Sequence, residues 1–213
     1  MKLIRFLALT TIAVIAISWF SQSNLWKKTK ALYLHKKQTS YVTTDRSAKK
    51  LEGKIAEVKR FVQQKGYNEN ICFLVDMTLP SGQNRFFIYD LQTDSLRSGG
   101  LVAHGNCFEN WMEGRKYSNT VGSGCTSLGK YRIGIHYYGK FGYSYKLHGL
   151  DNSNNNAFER TVVLHAHPCI PETEVAEEIC QSNGCPMVSP GFLEQLKKII
   201  NPSKKPVMLW IYE

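Results

Sequence analysis

Short apolar runs with a period of two fill the chain after Gly66, and this pattern limits the fold more than any other feature. Side chains at alternate positions of a strand lie on opposite faces, so such runs predict β-strands. Turn residues separate the first two runs, Ile71–Val75 and Arg85–Leu91, which predicts a hairpin. Further strands are predicted at 95–104, 129–138, 143–148, 161–165 and 206–212. The sequence therefore predicts a mostly β domain over 67–213, a β-sandwich or open barrel with short helices.

Two helices are predicted, one before the first of these strands and one before the last. Apolar residues recur at helical spacing at four positions: Leu51, Ile55, Val58 and Val62. We expect an amphipathic helix over 46–66 that ends at Gly66 and packs its apolar face on the domain. A second, short helix is predicted over 194–200, with Pro190 and Gly191 before it.

A strand that ends in a histidine is followed by a cysteine in a glycine turn. Thr161–His167 reads as a short buried strand, and Ser182–Val188 places Cys185 directly after Gly184. A thiol is a weak nucleophile until a base takes its proton, so a cysteine enzyme needs a histidine within hydrogen-bond reach. We interpret His165 and Cys185 as a catalytic dyad.

The N-terminus has the composition of an export segment. Lys2 and Arg5 precede an uncharged, mostly apolar run over 6–20. This pattern predicts a signal peptide or a membrane anchor over 1–22, followed by a basic linker over 23–45. The rest of the chain is then expected in the cell envelope, outside the cytoplasmic membrane, either periplasmic or membrane-anchored.

Positive charge is concentrated in the N-terminal third of the chain. The formal net charge is +10, and Lys or Arg residues crowd the stretch 27–65. Export makes nucleic acid an improbable partner, so an anionic membrane or wall polymer is the expected partner of this basic arm. A solvated helical face and a spacer explain the charge equally well.

Six cysteines in an exported chain suggest disulfides. They are Cys72, Cys107, Cys125, Cys169, Cys180 and Cys185. A bridge between Cys169 and Cys180 would close the loop that joins His165 to Cys185. If Cys185 stays free, at least one other cysteine is also unpaired.

Several ordered motifs within residues 70–213 resemble those of YkuD-type murein L,D-transpeptidases, and most closely a divergent branch of that family. They are Leu101–Gly105, Tyr117–Asn119, Gly122–Ser123, Thr126–Ile133, Leu147–Leu150, Val163–His165 and Ser182–Val188. The resemblance implies a mostly β catalytic domain that acts on peptidoglycan stem peptides without a cofactor or a metal. It implies a transferase of cell wall biogenesis with a cysteine nucleophile.

The resemblance also implies roles for individual residues. Cys185 would attack the L-centre carbonyl of a tetrapeptide stem and form a thioester, with His165 as the base. The backbone N–H groups around Gly184 and Cys185, together with Asn183, are candidates for the oxyanion hole. The substrate-binding candidates are His167, Arg160 and Ser182.

Two positions depart from the usual family motif. Asn183 stands where a histidine usually precedes Gly-Cys, and Pro186-Met187 replaces the basic residue that usually follows the cysteine. A substrate carboxylate must then be held elsewhere, and Arg160 is the residue expected to hold it. The loop 168–181 carries four glutamates and is expected to act as an acidic lid.

Other functions remain open at this level. Two use the same fold: an L,D-carboxypeptidase with the same dyad and water as acceptor, and a non-catalytic wall-binding domain. A third is a zinc site, for which the region offers His165, His167, Cys169, Cys180 and Cys185. His167 is also a rival base, because residues two apart on a strand share a face.

Overall fold

The computed structural model describes residues 51–213, in which the β-strands form one nine-stranded sheet. The strands are β1 (Ile71–Asp76), β2 (Phe86–Asp90), β3 (Ser95–Gly100), β4 (Val102–Ala103), β5 (Gly129–Gly139), β6 (Gly142–Gly149), β7 (Val163–Ala166), β8 (Met187–Val188) and β9 (Met208–Tyr212). Their order in the sheet is β3-β2-β1-β9-β5-β6-β7-β8-β4.

The two edge strands of this sheet are consecutive in the chain. Leu101 alone separates β3 from β4, although eight steps of the sheet order lie between them. The sheet must therefore curl until its edges meet, which makes it a nearly closed barrel. The predicted mostly β architecture is confirmed, but the sandwich alternative is wrong because there is one sheet and not two.

A buried arginine lies where the sheet closes. The Arg85 side chain is fully buried, and its Nε and Nη2 groups donate to the Val102 carbonyl at 3.0 and 2.7 Å. Its backbone N–H donates to the Gly100 carbonyl at 3.2 Å. Arg85 thus supplies donors to the segment that passes from one edge of the sheet to the other.

Two strand pairings are parallel and could not be read from a chain of hairpins. β1 pairs with β9, and β7 pairs with β8. β1 is buried along its whole length, because it lies inside the sheet with side chains covered on both faces. The parallel pair β7–β8 is the one that brings the segment of His165 beside the segment of Cys185.

Residues 55–213 form one compact unit that includes most of the first helix. This helix, α1, covers residues 51–65 of the described chain. Its predicted apolar face is buried at Ile55, Val58 and Val62. Gly66 has a φ of +71°, which a glycine adopts without strain, and the described part of α1 ends there.

The second helix, α2 (Pro190–Ile200), begins earlier than the sequence pattern predicted. Pro190 and Gly191 lie inside its first turn because proline already has a helical φ and lacks an N–H that would go unpaired there. The Ser189 side chain caps the helix by accepting from the Phe192 N–H at 3.2 Å. Glu172 accepts from the Ser189 hydroxyl at 2.6 Å and from the Gly191 N–H at 2.8 Å.

The predicted export segment over 1–22 and the linker over 23–45 lie outside the described residues. Within 51–213, no helix has the length and apolar character needed to cross a bilayer.

The cap of α2 gives a first prediction. Ser189→Ala removes the acceptor of the Phe192 N–H and should lower the free energy of unfolding by about 1 kcal/mol. For a chain of this size the melting temperature should fall by roughly 2–4 °C. Thermal melts of Ser98→Ala provide the control, since that hydroxyl makes only a 3.4 Å contact with Gln195. Equal melting of the two variants would contradict the capping role.

Candidate active site

The turn that carries Cys185 is closed by its own serine. The Ser182 hydroxyl donates to the Cys185 carbonyl at 2.7 Å and accepts from the Gly184 N–H at 3.2 Å. Gly184 has a φ of +104°, and a Cβ there would lie 2.8 Å from the Cys125 carbonyl oxygen. The turn therefore requires glycine both for its conformation and for space.

The chain after β4 holds this turn in place. The Ser182 N–H donates to the His104 carbonyl at 2.8 Å, and the Asn106 N–H donates to the Ser182 carbonyl at 2.7 Å. The next residue of that segment, Cys107, forms a disulfide with Cys125. Covalent and backbone bonds thus fix the Cys185 turn between two neighbouring segments.

The Cys185 thiol lies against the backbone that leads into β7. Its Sγ accepts from the Val163 N–H at 3.5 Å and lies 3.9 Å from the Thr161 carbonyl oxygen. Cys185 is free and half-buried. Cys72, the other free cysteine of the described residues, is fully buried in β1.

His165 lies in β7, two residues beyond Val163. The imidazole is 2% exposed, and its Nδ1 lies 3.0 Å from the Ala166 carbonyl oxygen. A proton on Nδ1 would be donated to this carbonyl, which leaves the Nε2 lone pair available to accept a proton. The Phe141 ring, from the β5–β6 hairpin, stacks on the imidazole with centroids 4.3 Å apart.

The strand register relates the thiol to the imidazole. His165 pairs with Met187, so Cys185 and Val163 each lie two residues before a paired position. Val163 and His165 share a face of β7 and are separated by about 7 Å along the strand. Among the described residues no hydrogen bond joins Sγ to the imidazole, and Sγ instead contacts the Val163 N–H.

Burial favours the neutral form of both groups. Desolvation raises the pKa of the Cys185 thiol, while the Val163 N–H and the positive charge of Arg160 oppose that shift. Desolvation also lowers the pKa of His165, the Ala166 carbonyl opposes this, and His167 adds to the lowering. Both shifts favour the neutral thiol and the neutral imidazole over a preformed thiolate–imidazolium pair.

The structure gives Arg160 partners inside the protein. Nη1 donates to the Ser118 carbonyl at 2.7 Å, and Nη2 donates to the Cys125 carbonyl at 2.5 Å and to the Ser123 hydroxyl at 3.2 Å. Nη2 also lies 3.4 Å from the position of a Cβ on Gly184. Arg160 therefore anchors the wall behind the Cys185 turn, and these contacts argue against its predicted use as a substrate-carboxylate ligand.

The other predicted residues are distributed around the turn. Asn183 is exposed, whereas the hydroxyl of Ser182 is used within the turn. His167 is exposed, and its Nδ1 accepts from the Cys169 N–H at 3.2 Å. The Gly184 N–H is bonded to Ser182, whereas the N–H groups of Asn183 and Cys185 have no acceptor in this turn among the described residues.

The loop between His165 and Cys185 is tied to the protein at several points. Cys169 and Cys180 form a disulfide, which removes two sulfurs from the zinc set considered above. Within residues 51–213, no three His, Cys, Asp or Glu side chains converge on one point. Glu172 bonds to the start of α2, and Glu174 accepts from the Asn84 N–H at 2.8 Å. Two of the four glutamates of the expected acidic lid therefore hold the loop against the rest of the domain.

Sequence reasoning missed Phe141 and the backbone groups that contact the thiol and the imidazole. Phe141 lies on a hairpin tip with the ordinary composition of a turn, and its sequence distance from His165 gives no sign of contact. Backbone donors leave no signature in residue type at all.

The electrostatics of the thiol give a second prediction. Because its pKa is raised by burial, alkylation of Cys185 by iodoacetamide should reach half its maximal rate at a higher pH than in the denatured chain. Arg160→Met should move this midpoint further up. Mass spectrometry of the two cysteine peptides would follow the reaction. Protection of the buried Cys72 serves as the control for folding. A Cys185 midpoint below that of the denatured protein would contradict the raised pKa of the buried thiol.

Comparison with known proteins gives a match at the family level. The sequence model of the L,D-transpeptidase catalytic domain family (YkuD_2) matches residues 43–212 of this chain. A comparison with curated proteins finds no match.

Solved structures of two L,D-transpeptidases and of a cell shape determining protein align at low identity. One from Mycobacterium smegmatis is 8% identical, with 68% of this chain and 59% of that chain covered and a TM-score of 0.42. The helical cell shape determining protein Pgp2 of Campylobacter jejuni is 14% identical, with 67% and 47% covered and a TM-score of 0.40. An L,D-transpeptidase of Xylanimonas cellulosilytica is 14% identical, with 72% and 68% covered and a TM-score of 0.37.

The chain thus spans 59% of the length of the mycobacterial structure and less than half of the Campylobacter protein. The family assignment depends on the sequence match, which extends over most of the chain and includes the strand of His165 and the turn of Cys185. The chain belongs to the L,D-transpeptidase catalytic domain family.

Proposed function

We propose that this protein is a cell-wall cysteine L,D-transpeptidase that acts on peptidoglycan tetrapeptide stems. The observation that carries the proposal is the Cys185 turn, in which a free thiol lies against the β7 backbone two residues from a buried imidazole. Family membership supplies the reaction class. The position of the thiol and the neutral state that burial favours supply the mechanism.

In the first half-reaction, the Cys185 sulfur attacks the carbonyl carbon of the L-centre residue. The thiol proton passes to Nε2 of His165, whose Nδ1 remains on the Ala166 carbonyl. The oxyanion that forms is stabilised by the free N–H of Cys185, in the manner of an oxyanion hole. The C–N bond then breaks, His165 returns its proton to the departing amine of the terminal D-amino acid, and a thioester remains.

The second half-reaction reverses these steps with a different amine. The side-chain amine of a neighbouring stem attacks the thioester carbonyl, loses a proton to His165, and expels the Cys185 thiolate. The thiolate then takes that proton, so the enzyme is regenerated and a 3–3 cross-link results. Water in place of the amine would give a shortened stem, which is the carboxypeptidase outcome.

The proposed place of action is the cell envelope, outside the cytoplasmic membrane. This follows from the substrate, since peptidoglycan lies there, and from the apolar and basic composition of residues 1–45. We propose that the basic arm before the domain of 67–213 contacts anionic membrane or wall polymer.

The third prediction concerns the covalent intermediate. Full-length protein incubated with purified tetrapeptide muropeptides should show a thioester adduct on Cys185 by intact mass spectrometry, and 3–3 linked dimers among the products. Cys185→Ala should abolish both. His165→Gln should lower the rate of adduct formation by about 10²–10⁴-fold, the usual contribution of a general base.

His167→Gln is the matched control for the base, because this residue lies on the same strand extension but is exposed. A loss of rate with His167→Gln and not with His165→Gln would reassign the base. An adduct with shortened monomers and no dimers would favour the hydrolase, and turnover by Cys185→Ala would exclude the mechanism.

The fourth prediction uses the pKa of His165. Activity requires the neutral imidazole, and burial lowers the pKa of His165, so kcat/KM should rise with pH through a midpoint below about 6.5. Phe141→Ala uncovers the imidazole, which should raise its pKa and move this ascending limb to higher pH. The control is Tyr138→Ala, because Tyr138 lies on the same hairpin and is 79% exposed. An unmoved limb in Phe141→Ala would contradict the role of the ring.

A further inference from the structure

A cleft with an apolar floor opens beside the thiol. Its volume is about 410 Å³, and its lining includes Ile135, Tyr137, Phe158 and Val163. Ile135 and Phe158 are 72% and 52% exposed, so this surface is open to a ligand. A cleft of this size can accept one or two residues of a peptide.

The cleft borders the backbone that contacts the Cys185 thiol. Two residues of its lining, Thr161 and Val163, are also the ones whose backbone groups contact the Cys185 sulfur. A peptide whose carbonyl carbon lies at the sulfur therefore has this cleft available for one of the residues flanking the scissile bond.

One cation lines the cleft. Lys146 lies directly across from Val163 in the β6–β7 pair, and it is half-buried. Its Nζ lies 5.7 Å from the centroid of the Tyr137 ring and 5.4 Å from that of the Phe158 ring. Within the described chain this ammonium has no carboxylate partner, whereas Lys130, Lys197 and Lys205 are each paired with one.

Aromatic faces hold an ammonium group but do not neutralise it. A cation in a partly desolvated cleft gains most from an anionic ligand, because a charge-assisted hydrogen bond is stronger there than in open water. Lys146 thus provides what Arg160 cannot, since the Arg160 guanidinium is already bonded to Ser118, Ser123 and Cys125.

We propose that Lys146 binds the terminal α-carboxylate of the donor stem peptide, whose D-amino acid occupies the cleft and leaves when Cys185 attacks. This inference rests on the proposed function and adds its specificity determinant. An enzyme that removes a terminal residue must distinguish it from an internal one, and the free carboxylate is the group that differs. The carboxylate lies one residue beyond the scissile carbonyl. Lys146 lies on the strand next to Val163, whose N–H contacts the thiol, so its distance from the thiol is of the same order.

The test is a binding measurement on full-length Cys185→Ala protein, which cannot turn the ligand over. Calorimetric titration would compare a tetrapeptide muropeptide with the same molecule amidated at its C-terminus. We expect the free acid to bind roughly tenfold more tightly or better, as for a hydrogen bond to a charged group. Adding Lys146→Met should remove this preference by weakening the acid and leaving the amide unchanged, and Lys146→Arg should retain most of it.

Lys198→Met is the matched control, because it removes the same charge from an exposed position on α2 and should leave the preference intact. Equal affinity for acid and amide, or an equal loss for both with Lys146→Met, would overturn the inference. The inference would also be overturned if amidating a side-chain carboxylate of the muropeptide lowered its affinity while amidating the C-terminus did not.

The two proposals fail separately in this design. If wild-type protein forms no Cys185 adduct but the acid preference and its dependence on Lys146 persist, the transpeptidase mechanism is wrong and the carboxylate site stands. If the adduct forms without any acid preference, the carboxylate site is wrong and the mechanism stands.

Discussion

Three backbone segments meet without intervening side chains, and the position of Cys185 depends on that contact. A Cβ on Gly105 would lie 2.4 Å from the Gly124 carbonyl oxygen and 2.8 Å from the Gly184 Cα. A Cβ on Gly184 would lie 2.8 Å from the Cys125 carbonyl oxygen. Any side chain at these positions would force the segments apart. The Cys107–Cys125 disulfide ties two of the segments together, and the Ser182 backbone bonds join the third.

The same region lacks the histidine and the basic residue that the usual family motif places next to the cysteine. Asn183 is exposed and no basic residue directly follows Cys185. The positive charge near the thiol comes from Arg160, which backbone carbonyls hold behind the turn. That charge partly offsets the effect of burial on the pKa of the thiol. In the proposed mechanism, Arg160 behind the turn and Lys146 in the cleft together supply the positive charge that one basic residue next to the cysteine would otherwise supply.

Local patterns predicted most of the longer elements. The hairpin of β1 and β2, the long pair β5–β6, the apolar face of α1 and its end at Gly66 all follow from periodicity and turn chemistry. The two-residue strand β8 was missed, since two residues carry no period. The start of α2 was misplaced, because Pro190 ends a pattern when read along the chain but begins a helix once Ser189 caps it.

The sequence by itself determined which residues can do chemistry: a histidine at the end of a strand, a cysteine after a glycine, and the family to which their motifs belong. Tertiary structure decided what each of them contacts. It brought together residues that are distant in sequence: the parallel pair β7–β8, the rings of Phe141 and His165, and Arg160 with the carbonyls that it anchors. It also placed the Lys146 ammonium near the Phe158 ring without a carboxylate partner among the described residues. Residue type and local period carry information about neighbours along the chain, whereas these contacts arise only when separate segments of the chain pack together.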